Sequence, residues 1–453
     1  MGMENMSELK KNDIVTLTIE DYTGEGMGVA RVDGRVVFVR RGIRGETCEA
    51  RIEKVLKNII YAKVVSVAEP SPHRREPDCP WFGRCGGCDY RHMDYEEELE
   101  AKRRKVQNAI YRLGGSHVEV EEVLGAKQPT RYRNKVQYPI SKDGAVGFYR
   151  AHSHDVTDIP HCLLQMESAE RAAEVLRQWM RRYQISGYDE QTGEGLMRHL
   201  YVRCNAKGES LICLLVNGGR LPHERELVSM LREGVGDVKG VVLGINRRRD
   251  NVILADRYRT LWGEDTIEDV LCGLRFRLSV PSFYQVNREQ AEVLYDKAVE
   301  YARLSGKETV LDLYCGAGTI TLVMAKKAGK VIGAEIVPEA IEDAKENAER
   351  NGIENAEFFC GDAGEIAAKL AREKLRPDVV IVDPPRKGLL PGVAETIASM
   401  QPTRIVYVSC DSATLARDVK DFAALGYRAA RACAVDMFPR ADHVEAVVQL
   451  VRE

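Results

Sequence analysis

The chain has no apolar stretch long enough to cross a bilayer, and its first residues, MGMENMSELKKND, lack the apolar core of a secretory signal. Membrane insertion and secretion are therefore not expected. A cytoplasmic location, with no membrane partner, is. An excess of either charge is also missing: 66 Lys and Arg stand against 69 Asp and Glu, a formal net charge of −3. That excludes a polycationic body, so a nucleic-acid partner has to be met by local basic patches. Internal repeats and low-complexity tracts are absent, which argues against solenoids and wholesale disorder.

What is present is a chain of 453 residues, 44% hydrophobic and 30% charged, which is ordinary for a globular protein and long enough for about three domains. Its 12 cysteines, in a reducing compartment, are expected as thiols or ligands rather than disulfides. Residues 1–68 read as a small oligonucleotide-binding-like β-barrel: DIVTLTIEDY, RVVFVRR, ETCEARIEKV and IIYAKVVSV are short β-branched runs separated by glycines. Residues 69–278 read as a central α+β domain. It opens on the Pro- and Gly-rich AEPSPHRREPDCPWFGRCGGCDY and carries charged and amphipathic helices over Tyr95–Leu113 and Met166–Tyr183. The helix within 91–125 is expected to pack with the last domain. From 279 to 453 strands and helices alternate, which predicts an α/β, Rossmann-like parallel sheet with helices on both faces.

Two ends of chemistry can be read in that last region. VLDLYCGAGTI (310–320) runs from an apolar strand through a glycine turn into a helix, a geometry that brings backbone N–H groups close to a ligand. It is not the dinucleotide fingerprint, because Thr321 stands at the third glycine position. Glu335 ends the next strand, about 20 residues on, where an acid can accept from both ribose hydroxyls. Asp362 ends a third strand. In this order the three features resemble S-adenosylmethionine-dependent methyltransferases; the plain alternative is a doubly wound domain with surface acids.

At the other end, IVDPPRKGL (381–389) makes a rigid loop at a strand end, with Asp383 able to accept from a ring N–H. Such a loop suits a base-like substrate without naming the atom. VYVSCDS places Cys410 between a buried strand and a helix start, where the dipole favours a thiolate; buried packing is the bland alternative. Methylating an amino group requires no nucleophile from the protein. Carbon 5 of a pyrimidine does, because only a thiolate adding to carbon 6 turns the ring into an enolate, after which a base must remove the carbon 5 proton. Phe283 and Gln285 in SFYQVN offer a stacking face and an amide, and Glu445 in DMFPRADHVEAVVQL is a candidate base.

SFYQVN, DLYCGAGTITL, AEI, DPPRKG, VYVSC and HVE, in this order and spacing, closely resemble the RNA (uracil-5-)-methyltransferases. The resemblance implies Cys410 as nucleophile and Glu445 as base. It implies Gln285, Tyr314, Glu335 and Asp383 as groups that hold S-adenosylmethionine or order the site, with Asp362 a lesser one, and Phe283 as the base-stacking residue. The family commonly has Asn-Pro after the cysteine; here Asp411-Ser412 follows, and Asp411 is expected to turn outward or cap the helix. Thr319 replaces a residue that is often asparagine in relatives.

Cys79-x5-Cys85-x2-Cys88 lies in an irregular segment where core packing is a poor explanation. Zinc and an iron–sulfur cluster each want four ligands, and Cys162, beside His161, is the best distant fourth. Chemistry alone leaves both metals open. The resemblance implies a [4Fe–4S] cluster on Cys79, Cys85, Cys88 and Cys162, as in ribosomal members of the family. Cys48, Cys204, Cys213, Cys272, Cys315, Cys360 and Cys433 read as packing.

GEGMGVAR, GRVVFVRRGIRGE and IIYAKV resemble the TRAM barrel, with Phe38, Arg40, Arg41 and Arg44 as candidate RNA contacts. Of three further basic runs, Lys102–Lys105, Arg131–Lys135 and Arg247–Arg249, the second is the best RNA candidate because Tyr132 interleaves an aromatic. The other two read as solvated faces. The expected activity is a 23S rRNA (uracil-5-)-methyltransferase of class EC 2.1.1, acting on unfolded or loop uridines of ribosomal RNA with no obligate protein partner. Uracil-5 methylation of transfer RNA, amino-group methylation of a base, and a non-catalytic RNA-binding chaperone are the alternatives.

Overall fold

The computed structural model describes residues 9–151 and 153–453. The N-terminal strands β1 (Ile14–Thr18), β2 (Asp21–Tyr22), β3 (Gly28–Val32), β4 (Arg35–Arg40), β5 (Thr47–Val55) and β6 (Ile59–Glu69) form one sheet in the order β1-β5-β6-β4-β3-β2. Alternation explains it: Cys48, Ala50 and Ile52 of β5 point inward with Val37, Val39, Ile60 and Ala62, and the charged residues between them face water.

Next come α1 (Tyr95–Arg112), β7 (Val120–Leu124), β8 (Lys135–Pro139), β9 (Gly147–Tyr149), β10 (Val156–Asp158), α2 (Glu167–Tyr183), β11 (Met197–Cys204), β12 (Ser210–Val216), α3 (Glu224–Val235), β13 (Val238–Ile245) and β14 (Arg257–Gly263). Five of these strands make a second sheet, β14-β13-β12-β11-β8. The β12 sequence SLICLLV is apolar throughout because both of its faces are covered. Ile212, Leu214 and Val216 pack with α2 and α3. Leu211, Cys213 and Leu215 belong to the same apolar core as Val310 and Val406 of the last sheet. The central region and the C-terminal region therefore share one interior.

The hairpin β15 (Thr266–Leu271)–β16 (Leu274–Ser279) leads to α4 (Arg288–Ala302), β17 (Thr309–Leu313), α5 (Thr319–Ala325), β18 (Lys330–Glu335), α6 (Pro338–Arg350), β19 (Ala356–Cys360), α7 (Ala363–Arg372), β20 (Val379–Val382), α8 (Val393–Ser399), β21 (Arg404–Ser409), α9 (Ser412–Ala424), β22 (Tyr427–Val435) and β23 (Glu445–Arg452). The sheet order is β19-β18-β17-β20-β21-β23-β22-β7. The strands from β17 to β21 are parallel, and β23 enters antiparallel between β21 and β22. The strand order reverses at β17, so the carboxyl ends of β17, β18 and β20 open a crevice of the kind that binds ligands in such sheets. Strand β7 extends the sheet by pairing with β22, and α1 packs on α9. No helix among the described residues is long and apolar enough to cross a membrane.

The run Lys102–Lys105 is not the solvated face that a charge run suggests. Lys102 has no exposed side-chain surface; its Nζ donates to Glu98 Oε1 (2.9 Å), Asp436 Oδ1 (2.6 Å) and the Phe438 carbonyl (3.1 Å). Tyr95 donates to Asp436 Oδ2 (2.7 Å), and Arg440 pairs with Glu98 (3.2 Å). Two buried carboxylates thus have two cations, and the network fastens α1 to the segment that follows β22. Removing one partner of a buried network strands the others. Lys102→Met is expected to destabilise the fold by about 3–5 kcal/mol. A thermal unfolding midpoint equal to that of the unaltered protein would show that the network contributes nothing.

Candidate active site

Strand β21 ends at Ser409, which pairs across the antiparallel ladder with Ala446 of β23. One step further along the same register, Cys410 leaves β21 opposite Glu445, the first residue of β23. Asp411 takes the N-cap of α9, its Oδ1 accepting from the backbone N–H of Ala413 (3.0 Å) and Thr414 (2.9 Å). Its charge is spent on the helix terminus rather than on the neighbouring sulfur. The Ser409 hydroxyl donates to the Asp411 carbonyl (2.9 Å) and accepts from the Asp411 N–H (3.1 Å), which fixes the turn bearing Cys410.

The helix start does not make Cys410 acidic. Burial, and then the charges of Glu445 and Asp383, push its thiol up to about 11, with Arg386 opposing. Glu445 is itself buried, and burial followed by the charge of Asp383 raises it well above the usual carboxylate range, again against Arg386. Burial raises Asp383 as well. The site at rest is three acids biased to their neutral forms around one guanidinium. Arg386 and Asp383 sit on the loop after β20, which is tied to α9: the Thr414 hydroxyl donates to the Arg386 carbonyl (3.2 Å) and Arg417 Nη2 to the Lys387 carbonyl (3.0 Å). Arg386 Nη2 meets His443 Nε2 at 3.2 Å.

The glycine turn after β17 forms a cradle. Tyr314 has φ +72°, a left-handed conformation unusual for an aromatic residue. Its N–H and that of Cys315 both donate to the Ala334 carbonyl (2.9 and 3.0 Å). Glu335 is held by Gly316 N–H at Oε2 (3.1 Å) and Val337 N–H at Oε1 (3.0 Å). Asp362 caps α7 through Oδ1, accepting from Gly364 N–H at 2.9 Å. Thr319 engages the Tyr295 hydroxyl (3.0 Å). The sequence reading passed over Asp312. This residue is buried, its Oδ2 accepts from Thr321 (2.5 Å), and its Oδ1 has no partner among the described residues; the Tyr314 hydroxyl is likewise buried without one among them. Burial first, eased by the Thr321 bond and reinforced by Asp383 and Glu335, brings Asp312 to about 7. An acid inside the apolar run VLDLY was the available signal.

Phe283 is 67% exposed ahead of α4, while the neighbouring Ser282 carbonyl is fixed by the buried Arg203 (2.5 Å). Gln285 is half-buried, and its carbonyl accepts from Asn134 (3.0 Å). That contact corrects the reading of Arg131–Lys135 as an RNA surface. Arg131 pairs with Glu170 and donates to the Cys162 carbonyl (2.9 Å), Tyr132 donates to the Pro439 carbonyl (3.0 Å), and burial lowers Lys135 to about 8. The run braces Gln285 and the segment before β23. In the N-terminal sheet, Arg44 is committed to the buried Glu97 (3.1 Å), Arg40 to Glu53 (2.8 Å), and Arg41 lies over the Phe82 ring (4.9 Å). Phe38 packs edge-on against Tyr61 (5.7 Å).

Cys79, Cys85, Cys88 and Cys162 are free thiols that line one cavity of about 160 Å³ with Trp81 and Phe82. Burial raises Cys85 to about 11 and Cys88 to about 12, with Cys162 adding to both and Arg91 opposing. His161 is 81% exposed on its side chain and leans on Glu170 (3.3 Å). Among the described residues no three His, Cys, Asp or Glu side chains gather closely enough to hold a single ion. Of the cysteines read as packing, Cys360 is exposed and Cys272 half-buried; the others are buried.

Residues 94–453 match the tRNA (uracil-5-)-methyltransferase family, and residues 8–65 match the TRAM domain. An RNA methyltransferase of Clostridium acetobutylicum described as uncharacterized is 42% identical, covering 99% of both chains. A similarly described protein of Clostridium tetani is 43% identical over 97% of this chain and 96% of its own. Among solved structures, the Pyrococcus abyssi tRNA (uracil-54, C5)-methyltransferase in complex with S-adenosyl-L-homocysteine superposes with a TM-score of 0.78 at 29% identity, covering 96% of this chain and 99% of that one.

The acid cluster has a direct readout. Alkylation of Cys410, followed by peptide mass spectrometry, should rise with pH toward a midpoint near 11. An ordinary free cysteine would give a midpoint near ~8.5. Glu445→Gln removes one of the opposing negative charges, so it should move the midpoint down. A Cys410 midpoint at the ordinary value in the unaltered protein would rule out the arrangement.

Proposed function

The chain belongs to the tRNA (uracil-5-)-methyltransferase family, and on that premise we propose that it methylates carbon 5 of specific uridines in 23S ribosomal RNA. The observation that carries the reading is Cys410 at the exit of β21, one step beyond the Ser409–Ala446 pair, with the buried Glu445 opening the neighbouring antiparallel strand. A thiol beside a buried acid is what carbon 5 chemistry needs and what amino-group methylation has no use for. The deprotonated Cys410 sulfur bonds to carbon 6, and the C5–C6 π pair moves onto carbon 5 and the carbonyl oxygen of carbon 4 as an enolate. S-adenosylmethionine, when bound, supplies an electrophilic methyl group to carbon 5. Glu445 then takes the carbon 5 hydrogen as a proton, the released pair re-forms the C5–C6 double bond, and the sulfur departs with the pair of the S–C6 bond. Arg386, which opposes the rise of both groups, favours the charged forms that these steps require.

The cradle fits the methyl donor. Glu335, held by two N–H groups, suits a ribose diol; the unpartnered Asp312 oxygen suits an ammonium group; Gln285, Tyr314, Asp362 and Asp383 complete the set. Phe283 offers its exposed ring to a base. Four thiols lining one cavity, without the close gathering a single ion needs, support a [4Fe–4S] cluster over zinc. Zn–S bonds of about 2.3 Å in a tetrahedron draw sulfurs to about 3.8 Å of one another. A cluster binds each sulfur to a separate iron and tolerates a wider ring. Because burial favours the protonated forms of Cys85, Cys88 and Cys162, the metal's own charge has to draw the protons off. The mechanism routes no electron through the cluster, so its role is structural or in RNA contact.

Ribosomal RNA is favoured over transfer RNA because a cluster on this cysteine spacing is the mark of the ribosomal members that the sequence resembles. The likeness to the Pyrococcus abyssi enzyme supports transfer RNA as the second reading. Mapping 5-methyluridine in both RNAs, from cells with and without the protein, separates them: loss confined to transfer RNA overturns the ribosomal assignment. Protein purified without air should be brown and carry iron and sulfide; stoichiometric zinc without iron would sink the cluster.

Cys410→Ala should abolish turnover and the covalent complex with 5-fluorouridine RNA, in which the fluorine cannot leave as a proton does. Glu445→Gln should let the sulfur add and the methyl transfer, yet block release, so a denaturation-resistant adduct builds up on ordinary uridine RNA. An alanine variant that still traps the fluorinated RNA removes Cys410 from the role. A glutamine variant that turns over normally removes Glu445.

A further inference from the structure

The segment 436–444 between β22 and β23 delivers Glu445 to the site, and apart from Asn287 and Gln290 the main contacts that hold it come from α1, the cysteine loop and Tyr132, all outside the last domain. Asn287 donates to the Met437 carbonyl (3.2 Å), Lys102 to that of Phe438 (3.1 Å) and Tyr132 to that of Pro439 (3.0 Å). Arg440 follows with φ +74°, a left-handed turn that reverses the chain. From there the grip passes to the cysteine loop. The N–H groups of Asp89 and Tyr90, directly after Cys88, both donate to the Arg440 carbonyl (2.7 and 3.2 Å). The Asp442 N–H donates to Asp89 Oδ2 (3.0 Å), and Lys105 Nζ donates to the Asp442 carbonyl (2.9 Å). Asp442 is followed by His443, whose ring meets Arg386 (3.2 Å) on the loop beside Glu445.

We propose that Asp89 is a positioning residue for the proton-abstraction step: from the cysteine loop it fixes Asp442, and along the backbone from Asp442 to Glu445 it sets the placement of the base. The turn bearing Cys410 is built separately, from the Asp411 cap and the Ser409 clasp. Loosening the strap therefore acts on the base and spares the nucleophile. This separates Asp89 from a residue that merely stabilises the fold, whose loss would slow every step alike. It also assigns the cysteine loop a task in catalysis that involves no electron transfer.

The inference rests on Glu445 acting as the base. Asp89 is exposed, so substitution there spares the core. A misplacement of about 1 Å can cost about 10²-fold. Asp89→Ala is accordingly expected to lower turnover by about 10- to 100-fold while a methylated, denaturation-resistant adduct accumulates on ordinary uridine RNA, with RNA affinity and iron content unchanged. Asp89→Asn keeps an acceptor oxygen for the Asp442 N–H and should turn over within a few fold of the unaltered protein. Lys105→Met frees Asp442 from the other side, leaves the cysteine loop untouched, and should give the same adduct. Turnover within twofold of the unaltered protein for Asp89→Ala or Lys105→Met, or slowing without adduct, overturns the proposal. If Glu445→Gln accumulates adduct and these variants do not, the positioning role alone fails. If Glu445→Gln gives none, the assignment of the base fails.

Discussion

The antiparallel register of β21 against β23 is the constraint on which the site depends. A parallel sheet of this kind brings together the carboxyl ends of its strands, which is enough to gather the cradle after β17, Glu335 after β18 and Asp383 after β20. It cannot place a second reactive group beside the end of β21 unless the chain returns in the opposite direction. β23 does so, with the beginning of one strand laid against the end of the other, and Ser409 opposite Ala446 sets the separation of thiol and acid by a single residue step. Because side chains alternate along a strand, a slip of one residue would turn Glu445 to the other face of the sheet. The buried flanks of both strands, Val406 and Val408 against Val447, make such a slip costly.

The same placement explains the electrostatics. Three acids drawn into one buried site favour protonation, and the nearby guanidinium of Arg386 only partly offsets it. A cysteine held as a permanent thiolate is open to oxidation and to metals; a thiol restrained by neighbouring carboxyls is less so. Asp411 shows how a potentially harmful charge is accommodated. It lies next to the sulfur in sequence, yet its carboxylate is turned onto the N–H groups of α9 and serves the helix.

The parts of the site legible in the sequence were those set by local chemistry: a thiol at a strand exit, a glycine turn, an acid after the second strand, a Pro-Pro loop. Spacing and order sufficed because each part sits at the end of a strand whose apolar run is unmistakable. What was not legible depended on partners hundreds of residues away. Lys102 sits in a charged run that reads as solvent-facing, and only Asp436, 334 positions on, makes it a buried residue. Arg131–Lys135 has the composition of an RNA-binding patch, but its side chains are committed to Glu170, Pro439 and Gln285. Asp312 stands out in VLDLY as an acid within an apolar run, but only the structure leaves one of its oxygens without a partner among the described residues.

These long-range ties have a consequence for how the site comes into being. The sheet from β17 to β21 is built from successive strand–helix units with short connections and could assemble largely from its own sequence. The placement of Glu445 could not, since it waits on α1, on the cysteine loop and on the 131–135 brace, all of which lie in the first third of the chain. Loop closure over such separations comes after local structure, because its entropy cost is met only when the long-range contacts form together. The turn bearing Cys410 can therefore form before Glu445 is in place. The juxtaposition of Cys410 and Glu445 becomes a property of the whole chain rather than of the Rossmann-like domain that carries both groups, and the N-terminal elements are as much a part of the site's architecture as the strands on which it is mounted.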